Sequence, residues 1–600
     1  MPEAAEPAQL RFTRSTRFDA VMLLACALVP AALAAAGAMS SAPASHDEAV
    51  VRAVGVGWTG VFRALDVIVA ATLMLVPLGT RAMRAGVASA LITGACGAAA
   101  FVVARRLAHA VRPAATSPRL MSAVAAVSVL SALLAPVWQV EAAAPGGAVV
   151  GALIVLVALA LAGAGAGARA APFVAGLAAS YEPLVVLAVI AAVAPWIQEV
   201  VRARALGRRD AIDAGVAFAL GLLPLGLGLA MARRTPEIAV SAARPLASSI
   251  GERAGSHVVL SAFATAEVGT LMLVAAAAGA VLVALVPGAR RALASLLGVI
   301  AVGVAGIWLG AASGPSHVAS VVLVATCALH VLASVALVAA VVAISKLRVP
   351  FAEASAALVV VLELVLPVRA ADETLGRREA RSSHASSVWT EVAWGAAPPS
   401  AAVLVADRGT MRRIAAARAT GEMRADLLVV ATFALPSRAS DRALVAEPKL
   451  AALYRDIALG STPEELSLAT LAMQRPLLAG FDPRWDRGLA RHFVPVGLTT
   501  RFEPEPRGSS DRRRGLDAFL PGKERLVRVA VARRDPELAA ATATLLRGRA
   551  IGMAACGERD VLSRALDDLR PFAPEDAVAS TLVRRIVTTK GPIEVKDLAP

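Results

Sequence analysis

The sequence predicts a mainly α-helical membrane protein whose membrane domain is followed by an α/β and helical domain. Hydrophobic residues make up 57% of the 600 residues and charged residues 18%, and the mean hydropathy is +0.67. A soluble core needs far less apolar surface. Apolar runs of membrane-spanning length recur as far as Arg369, after which charged residues become frequent and apolar segments shorten to strand or amphipathic-helix length. This change predicts a domain boundary.

The net charge of +15 raises the question of a nucleic-acid partner. Aromatic residues are few, and several basic clusters stand at the ends of apolar runs, where orientation signals of membrane proteins lie. We therefore expect no nucleic-acid binding. The four cysteines lie far apart in the sequence, with neither metal-ligand nor disulfide spacing.

The first apolar run, 20–39, has about the length needed to cross a bilayer. Basic residues precede it, so the positive-inside rule places residues 1–19 in the cytoplasm. Small residues near its end resemble a signal-peptide cleavage site, but the length of the run favours a retained span.

An outer loop is predicted at 40–82, and its first part reads SSAPASHDEAVVRAVGVGWTG. Asp47 and Glu48 are adjacent there, between apolar runs that could not accommodate such charges cheaply. Residues 61–76 are apolar but contain Arg63 and Asp66. They could form a span, or a helix in the outer interface, which we favour.

Basic and polar junctions alternate between the later apolar runs, as expected for successive crossings. About eleven spans result within a membrane domain at 20–369, and the odd number places everything beyond it outside the cytoplasm. The later runs are 83–104, 120–137, 147–165, two short pieces within 172–199, 212–232, 268–286, 292–311, 318–345 and 351–368.

Three further residues of this domain are candidate binding residues. Trp138, in the predicted loop WQVEAAAPGG, is expected at a membrane interface. Glu182 lies at a break between two apolar pieces. It is either a site residue or a residue at the tip of a helical hairpin in the membrane interface, and the pattern favours neither. Arg244 lies in a second outer loop, 233–265, where arginines either bind phosphate or form a solvated surface. His330 and Glu363 lie within spans, where a hydrogen bond is favoured over metal ligation.

The segment 370–510 is predicted to be an α/β domain. Two segments are typical of strands that flank a helix, AAVLVADR and ADLLVVATF. Two further strands are predicted at RPLLAGF and HFVPVGLTTRFE. A capping box at Thr462–Glu465, with Pro463 at the first helical position, predicts a helix to Met473. Apolar periodicity predicts helices throughout 511–600, as a small bundle or hairpins. His492 has no Ser or Cys partner in the pattern, which favours a structural role.

The order of these motifs resembles the protein O-mannosyltransferase-like membrane proteins of the GT-C glycosyltransferase superfamily. In particular it is similar to a bacterial domain-of-unknown-function group related to a eukaryotic transmembrane O-mannosyltransferase. The motifs are the acidic first outer loop, VGVGWTGVF, a run ending LVPLG, APVWQVEA, and in the tail WTEVAWGAAPPSAAVLVADR, RADLLVV, QRPLLAGF and HFVPVGLTTRFE. Asp47 and Glu48 match the family's acidic pair, whereas Trp58 and Thr59 stand where the family has His and Pro.

The resemblance implies an inverting transfer of a sugar such as mannose from a polyprenyl-phosphate donor to an envelope protein or glycan on the outer face of a bacterial inner membrane. Asp47 would be the general base, with Glu48 or Glu182 assisting it. Arg244 would stabilise the leaving phosphate, and Trp138 would contact substrate. A divalent metal is possible, but no ligand cluster requires one, and no other cofactor is expected.

Two alternatives stay open. A transporter or lipid flippase also has many spans, broken helices and intramembrane charge, although no repeat relates the two halves of the membrane domain. A non-catalytic descendant of the glycosyltransferase scaffold that binds an envelope partner would explain the absent His-Pro pair.

Overall fold

The computed structural model describes residues 17–38, 50–51, 62–77, 79–111, 118–163, 170–202, 208–233, 268–310, 318–346, 365–375, 384–434, 443–459, 462–532, 535–589 and 591–598. The chain is mainly helical and separates into two units. The membrane unit comprises the described residues of Met1–Met39, Gly60–Ala230 and Ser241–Glu379. The C-terminal unit comprises those of Ser40–Thr59, Met231–Val240 and Ala380–Pro600.

The described part of the membrane unit is built from helices. They are α1 (Arg17–Ala36), α2 (Ala64–Met74), α3 (Arg81–Ala110), α4 (Pro118–Leu134), α5 (Pro136–Ala143), α6 (Val149–Gly163), α7 (Ala170–Tyr181), α8 (Pro183–Arg202), α9 (Arg208–Gly221), α10 (Leu223–Ala232), α11 (Thr270–Ala284), α12 (Arg290–Gly310) and α13 (Ala319–Lys346). Residues 365–375 are also helical.

Among the described residues, five helices are long and apolar enough to cross a membrane, or six if the bent pair α4 and α5 is one span. These two helices meet at 64°. Five shorter apolar helices accompany them: Ala64–Met74, Val149–Ala162, Ala170–Tyr181, Pro183–Gln198 and Thr270–Ala284. The chain is therefore a membrane protein, and the count of eleven crossings stays a prediction.

Small residues let the helices of the membrane unit approach closely. A Cβ at Gly97 would lie 2.0 Å from the carbonyl oxygen of Cys26, and one at Gly279 would lie 1.9 Å from that of Leu332. Alanine, valine and leucine form most of the core around these contacts. Without a hydrophobic driving force in lipid, such close backbone packing is a main source of helix association.

The loop predicted around Trp138 is wrong, because a helix forms there, while its position at a membrane interface stays a prediction. Its segment is the helix α5, with Pro136 in the first turn, and Trp138 is fully buried in the protein core. The indole N–H donates to the carbonyl of Leu323 at 3.0 Å, which satisfies its polar atom inside the unit. The hydrogen bond expected for His330 is confirmed, because its Nδ1 lies 2.9 Å from the carbonyl of Thr326.

The C-terminal unit contains a five-stranded mixed sheet of order β2-β1-β3-β5-β4. The strands are β1 (Ala402–Val405), β2 (Leu428–Ala431), β3 (Leu477–Ala479), β4 (Phe493–Val496) and β5 (Thr499–Phe502). Strand β1 pairs in parallel with β2 and β3, whereas β5 is antiparallel to β3 and β4.

Helices accompany this sheet along the whole unit. They are α14 (His384–Trp394), α15 (Arg408–Thr420), α16 (Leu450–Ala458), α17 (Glu465–Gln474), α18 (Ser509–Leu526), α19 (Pro536–Cys556), α20 (Arg559–Leu569) and α21 (Ala577–Thr588). The predicted strand, helix, strand order around α15 is confirmed. Asp407 caps this helix by accepting from the amide of Thr410 at 2.7 Å.

Two local predictions in this unit are wrong. HFVPVGLTTRFE is a hairpin rather than one strand, because Gly497 turns the chain at a φ of 56°. The capping box does not form: α17 begins at Glu465, after Glu464, with no side-chain cap. The amide of Glu464 instead donates to Asp456 at 3.4 Å, so a tertiary contact replaces the local one.

The helices predicted after residue 510 form, and they pack on the sheet. One core joins Leu477 and Phe502 of the sheet to Leu516 and Ile551 of the helices. A second core on the sheet contains Leu478, Phe519 and other helical residues. Sheet and C-terminal helices therefore stabilise each other.

Candidate functional site

A cluster of charged side chains is buried in the membrane unit, where α2 begins. Arg63 stands just before α2 with φ 67° and ψ 26°, in the left-handed region that non-glycine residues rarely adopt. Such a conformation costs free energy and persists only where surrounding contacts fix it. The contacts of the Arg63 guanidinium provide that constraint.

The guanidinium joins three segments that are distant in the sequence. Its Nε lies 2.9 Å from Asp66 Oδ2 and donates to the hydroxyl of Tyr181 at 3.2 Å. Nη2 donates to the carbonyl of Gly146 at 3.2 Å, and Nη1 lies 3.7 Å from Glu182 Oε1. The Tyr181 hydroxyl donates to Asp66 Oδ1 at 3.0 Å. We call Arg63, Asp66, Tyr181 and Glu182 the membrane cluster.

Every member of the membrane cluster is less than a tenth exposed. Charges buried in apolar surroundings are expensive unless they are paired and hydrogen-bonded, and in membrane domains they mark functional sites. The Arg63 guanidinium also lies over the Tyr181 ring, 5.2 Å from its centroid. A cation–π contact thus adds to the ion pairs.

Glu182 lies between α7 and α8, so the predicted helix break is confirmed. Its amide donates to the carbonyl of Ala178 at 3.2 Å, and its own carbonyl accepts from Val186 at 3.2 Å. Pro183 has no N–H and follows at the start of α8. The break therefore places a carboxylate at the cluster while the neighbouring backbone groups stay hydrogen-bonded.

The membrane cluster contains the groups needed for two kinds of chemistry. A guanidinium stays charged and binds phosphate or carboxylate oxygens through paired N–H donors. Two carboxylates and a phenol can hold or pass a proton or bind a cation. Anion binding and proton transfer are the chemistry that such groups carry out in proteins.

The other predicted site residues lie elsewhere. Asp47, Glu48 and Arg244 lie outside the described residues, as does Glu363. Trp138 belongs to the apolar core of the membrane unit. In the described part of the chain, no hydrogen bond or ring contact joins Trp138 to Glu182.

The structure does describe the chain directly after the acidic pair. Val50 and Val51 are fully buried and pack against Ala415, Ala416 and Ala419 of α15. These five side chains form one apolar cluster within the C-terminal unit.

Sequence reasoning missed Arg63, Asp66 and Tyr181 as site residues. Arg63 and Asp66 interrupt an apolar run at a spacing of three, which is itself a signal for a buried pair on one helical turn. It was interpreted as a sign of an interfacial helix. The partners Tyr181 and Gly146 could not be found from the sequence, because only tertiary packing brings them to α2.

The C-terminal unit contains a second ion cluster, which we call the tail cluster: Arg549 and Asp568, which are buried, and Lys523, which is partly exposed. Arg549 Nη2 donates to Asp568 Oδ2 at 2.5 Å, and Lys523 Nζ donates to Asp568 Oδ1 at 2.9 Å. Arg549 also donates to the carbonyl of Gly497 at 2.9 Å and lies 4.5 Å from the ring centroid of Phe519. Burial lowers the pKa of Arg549 to about 10, although Asp568 opposes this shift.

Within the described residues, no group of three or more His, Cys, Asp or Glu side chains could hold a metal ion. His492 has the contacts of a structural residue. Its Nδ1 lies 2.9 Å from the carbonyl of Glu503, and its ring stacks on Phe502 at 5.0 Å between centroids.

No protein-family model and no curated protein matches the sequence. What is known about the site therefore comes from its own geometry.

Proposed function

We propose that this protein is a GT-C-type glycosyltransferase of a bacterial inner membrane. It transfers a sugar, such as mannose, with inversion from a polyprenyl-phosphate donor to an envelope protein or glycan on the outer face. Asp47 is the general base for the acceptor hydroxyl in this proposal, assisted by Glu48. Arg244 stabilises the leaving phosphate. The proposal includes no cofactor, and a divalent metal is compatible with it.

The observation that carries the proposal is the membrane cluster, in which the buried Arg63 pairs with Asp66 and Glu182. Arginine and carboxylates buried in a membrane unit mark a functional site.

The membrane cluster supports the proposal by its chemistry. Arg63 supplies paired donors suited to the phosphate of a lipid-linked sugar, and Glu182 is the carboxylate that was predicted to assist Asp47. Several helices of the unit can cross a membrane, which gives a polyprenyl chain an apolar environment. We assign donor binding to this cluster.

The proposed topology has eleven spans, with the C-terminal unit on the outer side. The contact of Val50 and Val51 with α15 is compatible with this topology, which puts these two residues and the C-terminal unit on the same side. A reporter active only outside the cytoplasm should work after Pro600 and fail after Arg209. An inactive reporter after Pro600 would contradict this topology.

The catalytic experiment measures transfer of labelled sugar from a panel of polyprenyl-phosphate donors to envelope material. The protein is compared with D47N, E48Q and E182Q at matched membrane levels. D47N keeps the size and polarity of the side chain but removes its proton affinity, so we expect transfer to fall about 10²- to 10⁴-fold. E48Q should lower the transfer rate less than D47N does, because Glu48 only assists Asp47.

Glu575→Gln is the matched control, since Glu575 is an exposed carboxylate of the C-terminal unit. We expect its transfer rate to equal that of the unmodified protein. Full activity in D47N would remove Asp47 as the base. Absence of transfer from every donor would favour a non-catalytic scaffold that binds an envelope partner.

A second candidate function is transport or lipid flipping. The observation in its favour is Glu182, a carboxylate at a helix break inside a membrane unit and paired to Arg63. The same vesicles can report movement of a fluorescent lipid-phosphate between leaflets. Flipping that E182Q abolishes, without any sugar transfer, would select this candidate.

A further inference from the structure

A cavity of about 580 Å³ opens in the C-terminal unit. The β4–β5 hairpin forms one wall, and α14 and α18 form the others. Its volume lies within the range of roughly 300–1,000 Å³ that is common for small-ligand sites. Four arginines and three carboxylates line it: Arg501, Arg507, Arg514, Arg525, Glu391, Glu503 and Asp511. Arg525 pairs with Glu391, and Arg514 lies 3.9 Å from Asp511. We call this cavity the arginine groove.

The floor of the arginine groove is apolar and its rim is polar. Val392, Val494, Pro495 and Phe519 contribute to the floor. This arrangement is typical of sites that bury the carbon body of a ligand and orient its polar groups at the edge.

Glycines bring the walls of the groove together. A Cβ at Gly515 of α18 would lie 2.4 Å from the carbonyl oxygen of Pro495, and one at Gly522 would lie 2.8 Å from Val392 Cγ1. The helix can therefore pack directly on the hairpin and on α14 only because these positions lack side chains. The groove is a product of close packing and not of a loose surface.

The tail cluster fixes the turn of the hairpin at one end of the groove. Arg549 donates to the carbonyl of Gly497 at 2.9 Å, and Asp568 holds the Arg549 guanidinium. Because Arg549 and Asp568 are buried, the turn is fixed before any ligand arrives. A preformed site loses less conformational freedom on binding.

The rim has more N–H donors than carboxylate acceptors. Arg501 and Arg507 both pair with Glu503, and Arg507 does so at 3.5 Å. Two guanidinium groups offer about ten donors to the roughly four acceptor positions of one carboxylate. The rim is therefore suited to additional oxyanion oxygens.

The ion pairs of the rim are weak enough to be exchanged. The side chains of Arg501 and Arg507 are 38% and 42% exposed, and pairs at such positions contribute little to stability. An arriving phosphate or carboxylate can take the N–H donors that Glu503 leaves free. Binding therefore requires no disruption of the core.

A peptide strand does not suit this cavity. Strand β4 is at the edge of the sheet, but Pro495 has no N–H to donate and the carbonyl of Phe493 accepts from Arg512 Nε at 3.2 Å. Strand addition needs a row of free backbone donors and acceptors. The remaining fit is a compact ligand with an oxyanion group.

We propose that the arginine groove binds a small organic anion, whose phosphate or carboxylate oxygens are held by Arg501 and Arg507 and whose carbon body lies on the apolar floor. This site is separate from the membrane cluster and does not depend on sugar transfer.

The test is calorimetric titration of the full-length protein, purified in detergent. The probes are glucose 1-phosphate, glucuronate, inorganic phosphate and glucose. We expect saturable binding of at least one organic anion and none of glucose. Binding of glucose 1-phosphate alone assigns the oxyanion as phosphate, and binding of glucuronate alone assigns it as carboxylate.

The variants R501Q and R507Q should each weaken this binding about tenfold or more, because each loses charge-assisted hydrogen bonds. R507K keeps the charge but not the planar pair of donors, so its affinity should fall between those of R507Q and the unmodified protein. R484Q is the matched control, since Arg484 forms a similar paired contact with Asp482 outside the groove. Melting curves must coincide for all variants compared.

The proposal is overturned if the unmodified protein binds neither organic anion, or binds inorganic phosphate alone. It is equally overturned if R501Q and R507Q, folded to the same melting temperature, retain the affinity of R484Q. Loss of sugar transfer in D47N has no bearing on these outcomes, so the two proposals can fail independently.

Discussion

The two units each bury a cluster of charges, but with the opposite balance of sign. In the membrane cluster, Arg63 contacts two carboxylates, Asp66 and Glu182. In the tail cluster, one carboxylate, Asp568, contacts two cations, Arg549 and Lys523. The tail cluster holds the hairpin turn, whereas the membrane cluster joins α2 to a helix break.

The difference teaches which cluster can do more than stabilise the fold. A carboxylate shared by two cations holds both of them in place. In the membrane cluster, one guanidinium contacts two carboxylates and a phenol, which are groups that can exchange protons. The following variants test this comparison, from the largest expected effect to the smallest.

Arg63→Met should give the largest loss of stability. It removes the guanidinium that both carboxylates contact, and breaking a buried pair in this way costs about 3–5 kcal/mol. The measurement is the melting temperature of the detergent-purified protein. Arg369→Met is the control, because Arg369 pairs with Glu373 at an exposed position. Equal melting temperatures for the two variants would contradict the importance of the membrane cluster.

Arg549→Met should cost less, about 1–3 kcal/mol, as for a lost hydrogen bond to a charged group. The reason is that Lys523 remains at 2.9 Å from Asp568 and still compensates its charge. The free energy of unfolding of the C-terminal unit, measured by a tryptophan-based denaturant titration of the whole protein, checks this. Adding Lys523→Met should then cost more than the first substitution did. A smaller second loss would show that Lys523 does not compensate.

Arg547→Gln should lower the free energy of unfolding by up to about 1 kcal/mol, and it should do so only when the pH is not acidic. Burial by itself would raise the pKa of Asp576, but hydrogen bonds from Arg547 and the amide of Ala579 lower it overall. A carboxyl group whose pKa is lower in the folded state stabilises the fold at a pH above its pKa in the unfolded chain, which is about 4. This stabilisation disappears as the pH falls through the pKa of the folded state. The difference between Arg547→Gln and the unmodified protein should therefore shrink below about pH 4. A difference that is constant between pH 7 and pH 3 would refute this linkage.

Arg484→Ala should have the smallest effect, well under 1 kcal/mol. Its guanidinium makes paired contacts with Asp482, as close as 2.7 Å, yet the arginine side chain is 73% exposed. A short but exposed ion pair should contribute little to stability, because water competes for both charged groups. A loss comparable to that of Arg549→Met would mean that geometry, rather than burial, sets the energies of both clusters.

Much of the secondary structure could be predicted from the sequence. The strands on either side of α15 follow from their apolar, β-branched runs, and the helix break at Glu182 from a polar interruption before proline. The β4–β5 hairpin was missed because Gly497 alone, without a stronger turn signal, does not distinguish a turn from a strand. The expected cap at Thr462 was replaced by a contact with Asp456, which no local pattern reveals.

The candidate site could be predicted only in part. Glu182 was a candidate from its position, while Arg63 and Asp66 were noted only as charges in an apolar run. Asp47 and Glu48 stay predictions, since they lie outside the described residues.

The sequence by itself determined the class of protein, because apolar runs of spanning length and short alternating segments are local properties of the chain. It also determined where charge interrupts apolar sequence. Only the tertiary structure decided which of these charges meet. Arg63 reaches Tyr181 across 118 positions of sequence, and Arg549 holds a turn 52 positions away. Such contacts depend on the packing of segments that are distant in the sequence. Their free energy is set by how deeply the charged groups are buried and not by the residues next to them in the sequence.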